Sequence, residues 1–283
     1  MTLKWEGGYY AFKYDIYLST TPTFGAPIIT AYMPSFATAG VTATKESYAV
    51  TGLLPGTTYY WKVVSKTMAN LSKTGPTWEF STTGTAPPPL TTGTLGSGDI
   101  LLYATDGRIT GTAWRRVSDA TAAGGQRLWN PNQDAAKIIT APASPSSYVE
   151  LTFNAVAGQP YRLWIRGRAE NDFYANDSAF VQFSGAVNAS GGAIYRIGTT
   201  SAAGYNLENC SGCGLAVWGW QDTAWGLNIL PPPIYFATTG PQTMRIQQRE
   251  DGLSIDQILL SPSTFRQTAP GPLKNDTTIY PRQ

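Results

Sequence analysis

Apolar and polar residues alternate with a period of two along much of the chain up to residue 83. In "KYDIYLST" Ile16 and Leu18 share one face, and in "TTYYWKVVSK" Tyr59, Trp61 and Val63 share one. No stretch of this region has a convincing 3.6-residue period. Such alternation is typical of strands that bury one face, so residues 1–83 are predicted to form a β-domain.

A second block of strand-like segments runs from residue 99 to 262. In its segment "YRLWIRGR", Tyr161, Leu163 and Ile165 lie on one face, while arginines and a tryptophan lie on the other. Many short two-faced strands predict a second β-sandwich. The fold class is therefore all-β, with two sandwich domains, a Pro-rich linker and a tail. The linker is "GTAPPPLTTGTLGSG" (84–98), and the extended C-terminal tail is 263–283.

The charge content narrows the range of partners. Charged residues make up 13% of the chain, about half the share in typical soluble domains. The net charge is +2 and no Lys/Arg cluster exists, so neither nucleic acid nor an anionic membrane surface is expected as a partner. No apolar run approaches the ~18–20 residues of a membrane span.

The chain contains no histidine. This excludes Ser-His-Asp and Cys-His catalysis, and also metal sites that use His ligands. An enzyme would have to rely on carboxylates, Tyr, Lys or thiols. The adjacent Glu250 and Asp251 would point to opposite faces of a strand, so they do not by themselves form a glycosidase pair. We therefore expect a protein that is not an enzyme.

Both cysteines, Cys210 and Cys213, lie in the loop-forming sequence "NCSGCG". One CxxC without His cannot supply four zinc ligands, and a redox CxxC normally opens a helix. A local disulfide is favoured, with free thiols and redox catalysis as the alternatives. A disulfide would imply an extracellular or periplasmic setting.

The segment "GLLPGTTYYWKV" resembles the E–F corner of a fibronectin type III domain, with Leu53, Pro55, Gly56 and Tyr59 at matching spacing. The resemblance covers residues 1–83 and implies that the tyrosine hydroxyl bonds to upstream backbone and fixes the turn. The opening residues already match the second and third strands of that family. The first strand is therefore expected to be missing, which would leave a hydrophobic sheet edge.

The second block resembles the galactose-binding-like jelly roll of family 6 and family 35 carbohydrate-binding modules. The resemblance lies in "ILLYATDGRITGTAWRRVSDATAAGGQRLW", "NDSAFVQF" and "GPQTMRIQQREDGLSIDQILLSP". In those modules a tight turn, here Asp251–Gly252, precedes a closing strand with an Asp, here Asp256. The match covers about 165 residues.

Relatives of this kind commonly hold a structural calcium, which binds six to eight oxygens. The resemblance implies Asp106, Asp119 and Asp256 as its ligands. Thr105 departs from the pattern, because relatives often carry a glutamate there. The alternative is that Asp256 caps a turn or pairs with an arginine such as Arg249.

The resemblance also implies a sugar site on loops at one rim of the sandwich, where aromatic rings pack against the C–H face of a sugar. The loop "VWGWQDTAWG" and two others, which we expect to meet at that rim, supply the candidates. Alternatively, the tryptophans of this loop plug the sandwich or form an oligomer contact. The candidate ligand-binding residues are Trp218, Trp220, Trp225, Gln221, Asp222, Trp129, Tyr174, Asn176 and Asp177.

These features favour a non-catalytic carbohydrate-binding region of a larger secreted, bacterial protein, extracellular or at the cell surface, with a glycan as its partner. A second hypothesis is a structural subunit of an extracellular filament or surface layer. In that hypothesis the tail of one copy would complete the open fibronectin-like sheet of the next by donor-strand pairing.

Overall fold

The structure is a computed structural model that describes residues 1–34 and 44–283. The described residues form 22 β-strands and four short 3-10 turns, with no α-helix among them, which confirms the all-β prediction. No helix in this part of the chain is long and apolar enough to cross a membrane. The chain divides into two compact units, Met1–Pro88 and Pro89–Gln283.

In the first unit β1 pairs antiparallel with β4, while β2 pairs with β3 and β5. The long strand β5 also pairs with β6 and β7 along different parts of its length. Within the described residues β1 has β4 as its one partner. The strands are β1 (Thr2–Gly7), β2 (Lys13–Ser19), β3 (Ile29–Tyr32), β4 (Thr44–Ala49), β5 (Thr58–Lys66), β6 (Ser72–Thr74) and β7 (Trp78–Ser81).

The core of the first unit contains the alternating residues that the sequence singled out, including Ile16, Trp61 and Val63. At the predicted corner the Leu54 N–H donates to the Tyr59 hydroxyl oxygen at 2.8 Å, which is the bond that the resemblance implies. A two-stranded sheet facing a larger one is also what a fibronectin-like sandwich without its first strand would have. The family assignment of this unit stays a prediction.

The strands of the second unit range from two to nine residues in length. They are β8 (Thr91–Thr92), β9 (Ile100–Tyr103), β10 (Arg108–Thr110), β11 (Arg115–Ser118), β12 (Gln126–Trp129), β13 (Tyr148–Ala155), β14 (Arg162–Ala169), β15 (Ser178–Phe183), β16 (Ala186–Val187), β17 (Ala203–Asn206), β18 (Gly219–Gln221), β19 (Tyr235–Phe236), β20 (Gly240–Gln248), β21 (Leu253–Ser261) and β22 (Thr278–Ile279). The 3-10 turns are Ala104–Asp106, Ala123–Gly125, Glu170–Asp172 and Tyr174–Asn176.

Two large antiparallel sheets build most of the second unit, and β16-β19 and β22-β8 form two small sheets beside them. One large sheet has the order β10-β13-β20-β15-β17, and the other has the order β11-β12-β21-β14-β18, with β9 also paired to β21. Tyr161, Leu163 and Ile165 point into the main core, as the alternation predicted. Trp164 points to the opposite face, where it packs with Trp220, Leu259 and Tyr280 in a smaller cluster.

The C-terminal tail packs on that opposite face, whereas the donor-strand hypothesis needs a tail that is free to pair with another copy. Tyr280 is buried against Trp220, and Asp276 forms a buried ion pair with Arg166. The short strand β22 pairs in parallel with β8, which lies in the segment predicted to be linker. The apolar side chains of the tail gain a surface to bury by folding back onto their own sandwich.

Candidate functional site

Trp218 is only 1% exposed, so its predicted role in an exposed sugar platform is wrong. Its indole N–H donates to Thr121 Oγ1 at 2.8 Å. The guanidinium groups of Arg166 and Arg168 each lie 4.8 Å from its ring. Cation–π contacts on a buried ring stabilise the loop itself and leave no ring face for a ligand.

Trp220 is fully buried, and the platform prediction is wrong for it too. The strand β18 pairs with β14 and places Trp220 opposite Arg166, on the face covered by the tail. Its N–H donates to the Thr278 carbonyl oxygen at 3.0 Å, and its ring meets that of Tyr280 edge-on. For these two tryptophans the structural alternative holds.

Four polar residues predicted to bind at the rim, Asn176, Asp177, Gln221 and Asp222, are also buried. Asn176 donates from its amide to the Glu170 carbonyl oxygen at 3.0 Å and thereby supports a turn. None of the four presents its side chain on the outer surface, since each is less than 5% exposed. Gln221 and Asp222 line a separate cavity, described below.

Trp129 is half-buried, and it does not line the cleft that carries Trp225 and Tyr174. Its ring lies between the guanidinium groups of Arg115 and Arg127, at 5.8 Å and 5.1 Å. Its N–H donates to Glu170 Oε2 at 3.3 Å. These contacts occupy the ring and its polar edge, so Trp129 offers no free ring face to a ligand. The bond to Glu170, together with that from the Asn132 N–H, joins this loop to the loop that carries Tyr174.

The three aspartates predicted to bind calcium do not fit that ion as they are arranged. Calcium needs several carboxylate oxygens that are free to converge on one point, but each of these carboxylates is paired with arginine. In the described part of the chain no group of three or more His, Cys, Asp or Glu side chains could hold a metal. The pairs are Asp106 with Arg282, Asp119 with Arg127 and Arg168, and Asp256 with Arg166.

Arg166 is the internal cation of this region and has no exposed surface. Its guanidinium lies 2.5 Å from Asp256 Oδ2 and 2.5 Å from Asp276 Oδ2, and it donates to the Thr121 carbonyl oxygen at 3.2 Å. Burial raises the pKa of Asp256 to about 6, against the opposing effect of Arg166. The alternative prediction, that Asp256 pairs with an arginine, therefore fits the structure. The arginine is Arg166 and not Arg249.

One cleft in the second unit presents the exposed aromatic side chains that the sequence predicted. It has a volume of about 450 Å³ and carries Trp225 and Tyr174, which are 59% and 63% exposed. Polar and charged groups lie beside the rings, so the cleft suits a ligand with an apolar face and polar edges. The other lining residues are Lys137, Gly204, Tyr205, Asn206, Glu208 and Arg249.

The loop that carries Trp225 is held at several points. Cys210 and Cys213 form a disulfide, as predicted. The Gly226 N–H donates to the Asn209 carbonyl oxygen, and Gly226 has a φ of 133°, which glycine adopts at low cost. Because the disulfide and this hydrogen bond restrain the loop, the Trp225 ring loses little conformational freedom when a ligand binds.

A buried pair of carboxyl groups lies behind the cleft. Burial and then the neighbouring Glu250 raise the pKa of Asp177 well above its usual range. Burial also acts to raise the pKa of Glu250, but hydrogen bonds from Lys137 and Ser178 outweigh it and hold that pKa below its ordinary value. Glu250 is therefore the ionised partner, and its Oε1 lies 2.7 Å from the Lys137 ammonium. This ion pair fixes Lys137 at the wall of the cleft.

The sequence did not identify the polar wall of the cleft. Arg249 Nη1 donates to Ser178 Oγ at 2.7 Å and lies 3.3 Å from Asn206 Oδ1, which joins the ends of β20, β15 and β17. These residues and Lys137 are far apart in the chain, and none belongs to a short motif. The one feature of the sequence that could have pointed to this wall is the position of Arg249, between the end of β20 and the Asp251–Gly252 turn.

No protein-family model matches the chain, and no curated protein matches it. Among solved structures it is similar to the GH26-CBM35 β-(1,4)-mannanase of Podospora anserina, at 12% identity and a TM-score of 0.38, over 60% of this chain and 29% of that one. The chain thus spans less than a third of the length of that enzyme.

Two carbohydrate-binding modules are similar over nearly their whole length. One is the C-terminal CBM6 of a laminarinase from Zobellia galactanivorans, at 12% identity and a TM-score of 0.34, over 58% of this chain and 98% of that one. The other is a module of a Cellvibrio mixtus lichenase in complex with cellotriose, at 12% identity and a TM-score of 0.27, over the same shares. Overlaps at these scores carry no argument about the ligand or its site.

Proposed function

We propose that residues 89–283 form a non-catalytic carbohydrate-binding module, which holds a glycan in the cleft of Trp225 and Tyr174. The observation that carries the proposal is the presence of two rings, each more than half exposed, on one cleft with hydrogen-bonding side chains. The C–H face of a pyranose packs on such a ring, and its hydroxyls bind to amide, carboxylate and ammonium groups at the edges.

The size and the charge of the cleft support a neutral glycan. Its volume of about 450 Å³ lies within the usual range for small-ligand sites. Lys137 and Arg249 stand opposite Glu208 in the lining, and Lys137 is already paired with Glu250. A wall with balanced charge offers donors and acceptors without favouring a strongly charged ligand.

The buried carboxyl pair behind the cleft supports binding without hydrolysis, because Glu208 is then the one carboxylate in the lining. Glycosidases hold two carboxyl groups about 5 Å or more apart, on either side of the scissile bond. Asp177 and Glu250 are buried and hydrogen-bonded to each other, so no sugar fits between them. They serve instead to hold Lys137 and the adjoining loop.

Three further proposals concern the location of the protein, the identity of its first unit and its assembly. The Cys210–Cys213 disulfide supports a secreted or surface location, where disulfides persist. The Tyr59 corner supports a fibronectin-like spacer in the first unit. Filament assembly through the tail is less favoured, because Tyr280 and Asp276 are buried in their own unit and would have to be released first.

The test is a titration of intrinsic tryptophan fluorescence with soluble neutral glycans: glucomannan, laminarin, xylan and arabinogalactan. We expect saturable binding to one of these classes, weakened at least tenfold in Trp225→Ala, because loss of a central aromatic contact costs about 1.4 kcal/mol or more. Leu227→Ala is the matched control, since Leu227 is exposed on the same loop and does not line the cleft. Equal affinity of Trp225→Ala and Leu227→Ala would contradict the proposed site.

A further inference from the structure

A second cavity of the same unit lies beside β14 and β18 and under the tail. Its volume is about 260 Å³, or roughly nine times the ~30 Å³ of a water molecule in the liquid. It shares no lining residue with the Trp225 cleft. Six of its lining side chains are polar: Asn209, Gln221, Asp222, Asn228, Gln267 and Thr268.

The amide of Gln221 is the distinctive group of this cavity. Gln221 is 1% exposed, and in the described part of the chain neither its Nε2 nor its Oε1 has a hydrogen-bond partner. Buried amides in folded proteins are nearly always paired. A donor and an acceptor, side by side and both unused, match the hydroxyl groups of a ligand, each of which donates and accepts.

Asp222 adds a carboxylate to the same wall. Its Oδ1 accepts the Ala224 N–H at 2.8 Å, which fixes the side chain and leaves Oδ2 available. Burial raises the pKa of Asp222 to about 6, opposed by the Ala224 N–H and the charge of Arg162. At neutral pH the group is therefore ionised and can accept hydrogen bonds from hydroxyl groups.

The rest of the lining is apolar and carries no positive charge. Ile229, Leu230, Ala269 and Leu273 form one wall together with Trp164. No Lys or Arg is among the lining residues, and Asp222 disfavours an anion. The cavity thus combines an apolar wall with amide and carboxylate partners, in a space too small for an oligosaccharide.

We propose that this cavity is a second binding site, which takes a single neutral sugar residue, such as a chain end or a side branch. Gln221 contacts two hydroxyl groups through its amide, Asp222 accepts from a third, and the aliphatic wall packs on the C–H face. The two sites share no lining residue, so we expect each to bind its ligand in the absence of the other.

The test is a titration of the full chain with D-galactose, D-glucose, D-mannose and L-arabinose, followed by thermal shift and by NMR of the glutamine side-chain amides. We expect one of these sugars to raise the melting temperature saturably and to shift the Gln221 amide signals. Gln221→Met keeps the side-chain length but removes both polar atoms, and it should weaken binding at least tenfold. Gln126→Met is the matched control, on an exposed side chain of β12.

The variant Trp225→Ala separates this site from the proposed glycan cleft. We expect it to lose glycan binding and to keep the monosaccharide response with unchanged affinity. Loss of both responses in Trp225→Ala would mean one site and would overturn the proposal. No saturable response to any of the four sugars, or a response that Gln221→Met leaves intact, would also overturn it, while leaving the cleft at Trp225 untouched.

Discussion

A fully buried arginine, Arg166, holds two carboxylates of the second unit in place. Arg166 pairs with Asp256 on β21 and Asp276 on the tail, and it also covers the ring of Trp218. Removal of one partner from a buried ion pair lowers the free energy of unfolding by more than the intact pair contributes to it. The reason is that the remaining charge stays buried without a partner.

Arg166→Met should therefore lower the free energy of unfolding by about 3–5 kcal/mol, measured by urea unfolding of the full chain. Arg108→Met is the control, because the Arg108 side chain is largely exposed and its partner Glu150 also pairs with Arg245. An exposed pair contributes about 0–1 kcal/mol. Similar losses in the two variants would mean that Asp256 and Asp276 find another cation.

Asp222 gives the unit a predictable pH dependence. Burial raises its pKa from 3.8 to about 6, so the folded protein holds this proton more tightly than the unfolded chain does. The contribution of Asp222 to stability therefore falls as pH rises from about 4 to 6 and then levels off. A difference of about 2 in pKa corresponds to about 3 kcal/mol.

Asp222→Asn removes this titration, and the amide oxygen can still accept the Ala224 N–H. We expect the variant to match the parent near pH 4 and to be more stable by up to about 3 kcal/mol near pH 7. Urea midpoints across this range measure the difference, and the exposed Asp134→Asn serves as the control. Parallel curves for Asp222→Asn and the parent would contradict the raised pKa.

At the scale of elements, the C-terminal tail acts as part of the sandwich. The Tyr280 hydroxyl donates to the Pro270 carbonyl oxygen at 2.7 Å, and its backbone N–H donates to Gln257 Oε1 at 2.9 Å. Its ring packs against those of Trp220 and Phe265. The tail thus closes the outer face of β14 and β21 with both polar and apolar contacts.

Tyr280→Ala should lower the free energy of unfolding by about 3–5 kcal/mol, as truncation of a buried aromatic ring does. Tyr280→Phe keeps the ring and should cost about 1 kcal/mol for the lost hydrogen bond. Scanning calorimetry of the full chain compares the two. A small effect of Tyr280→Ala would contradict this role and would favour a tail that is free to pair with another copy.

The strands were predictable because alternation is a local signal, as in "YRLWIRGR", where Leu163 and Ile165 enter the core as expected. The burial of Trp218 and Trp220 was one of the alternatives that the sequence left open, and the sequence could not decide it. It depends on the pairing of the three-residue strand β18 with β14 and on the tail that covers it. The partner of Asp256 was missed for the same reason, since Arg166 reaches it across the sheet.

At the scale of the molecule, the two units have separate cores and separate chemistry. The first unit buries Ile16, Trp61 and Val63 around its own centre. Every side chain of the two candidate sites lies between residues 137 and 273. A fragment of residues 89–283 should therefore bind glycan with the affinity of the full chain, and residues 1–88 should not bind at all.

A shorter fragment tests where the second unit begins. The sequence placed the start of the domain at residue 99, but β8 pairs with β22 and Leu95 packs against the tail cluster. A fragment of residues 99–283 loses both contacts, and the half-buried Leu95 alone contributes about 1–2 kcal/mol. We expect it to melt at a lower temperature than residues 89–283 while it keeps the same glycan affinity, since no site residue is lost. Equal melting temperatures would show that residues 89–98 act as a linker after all.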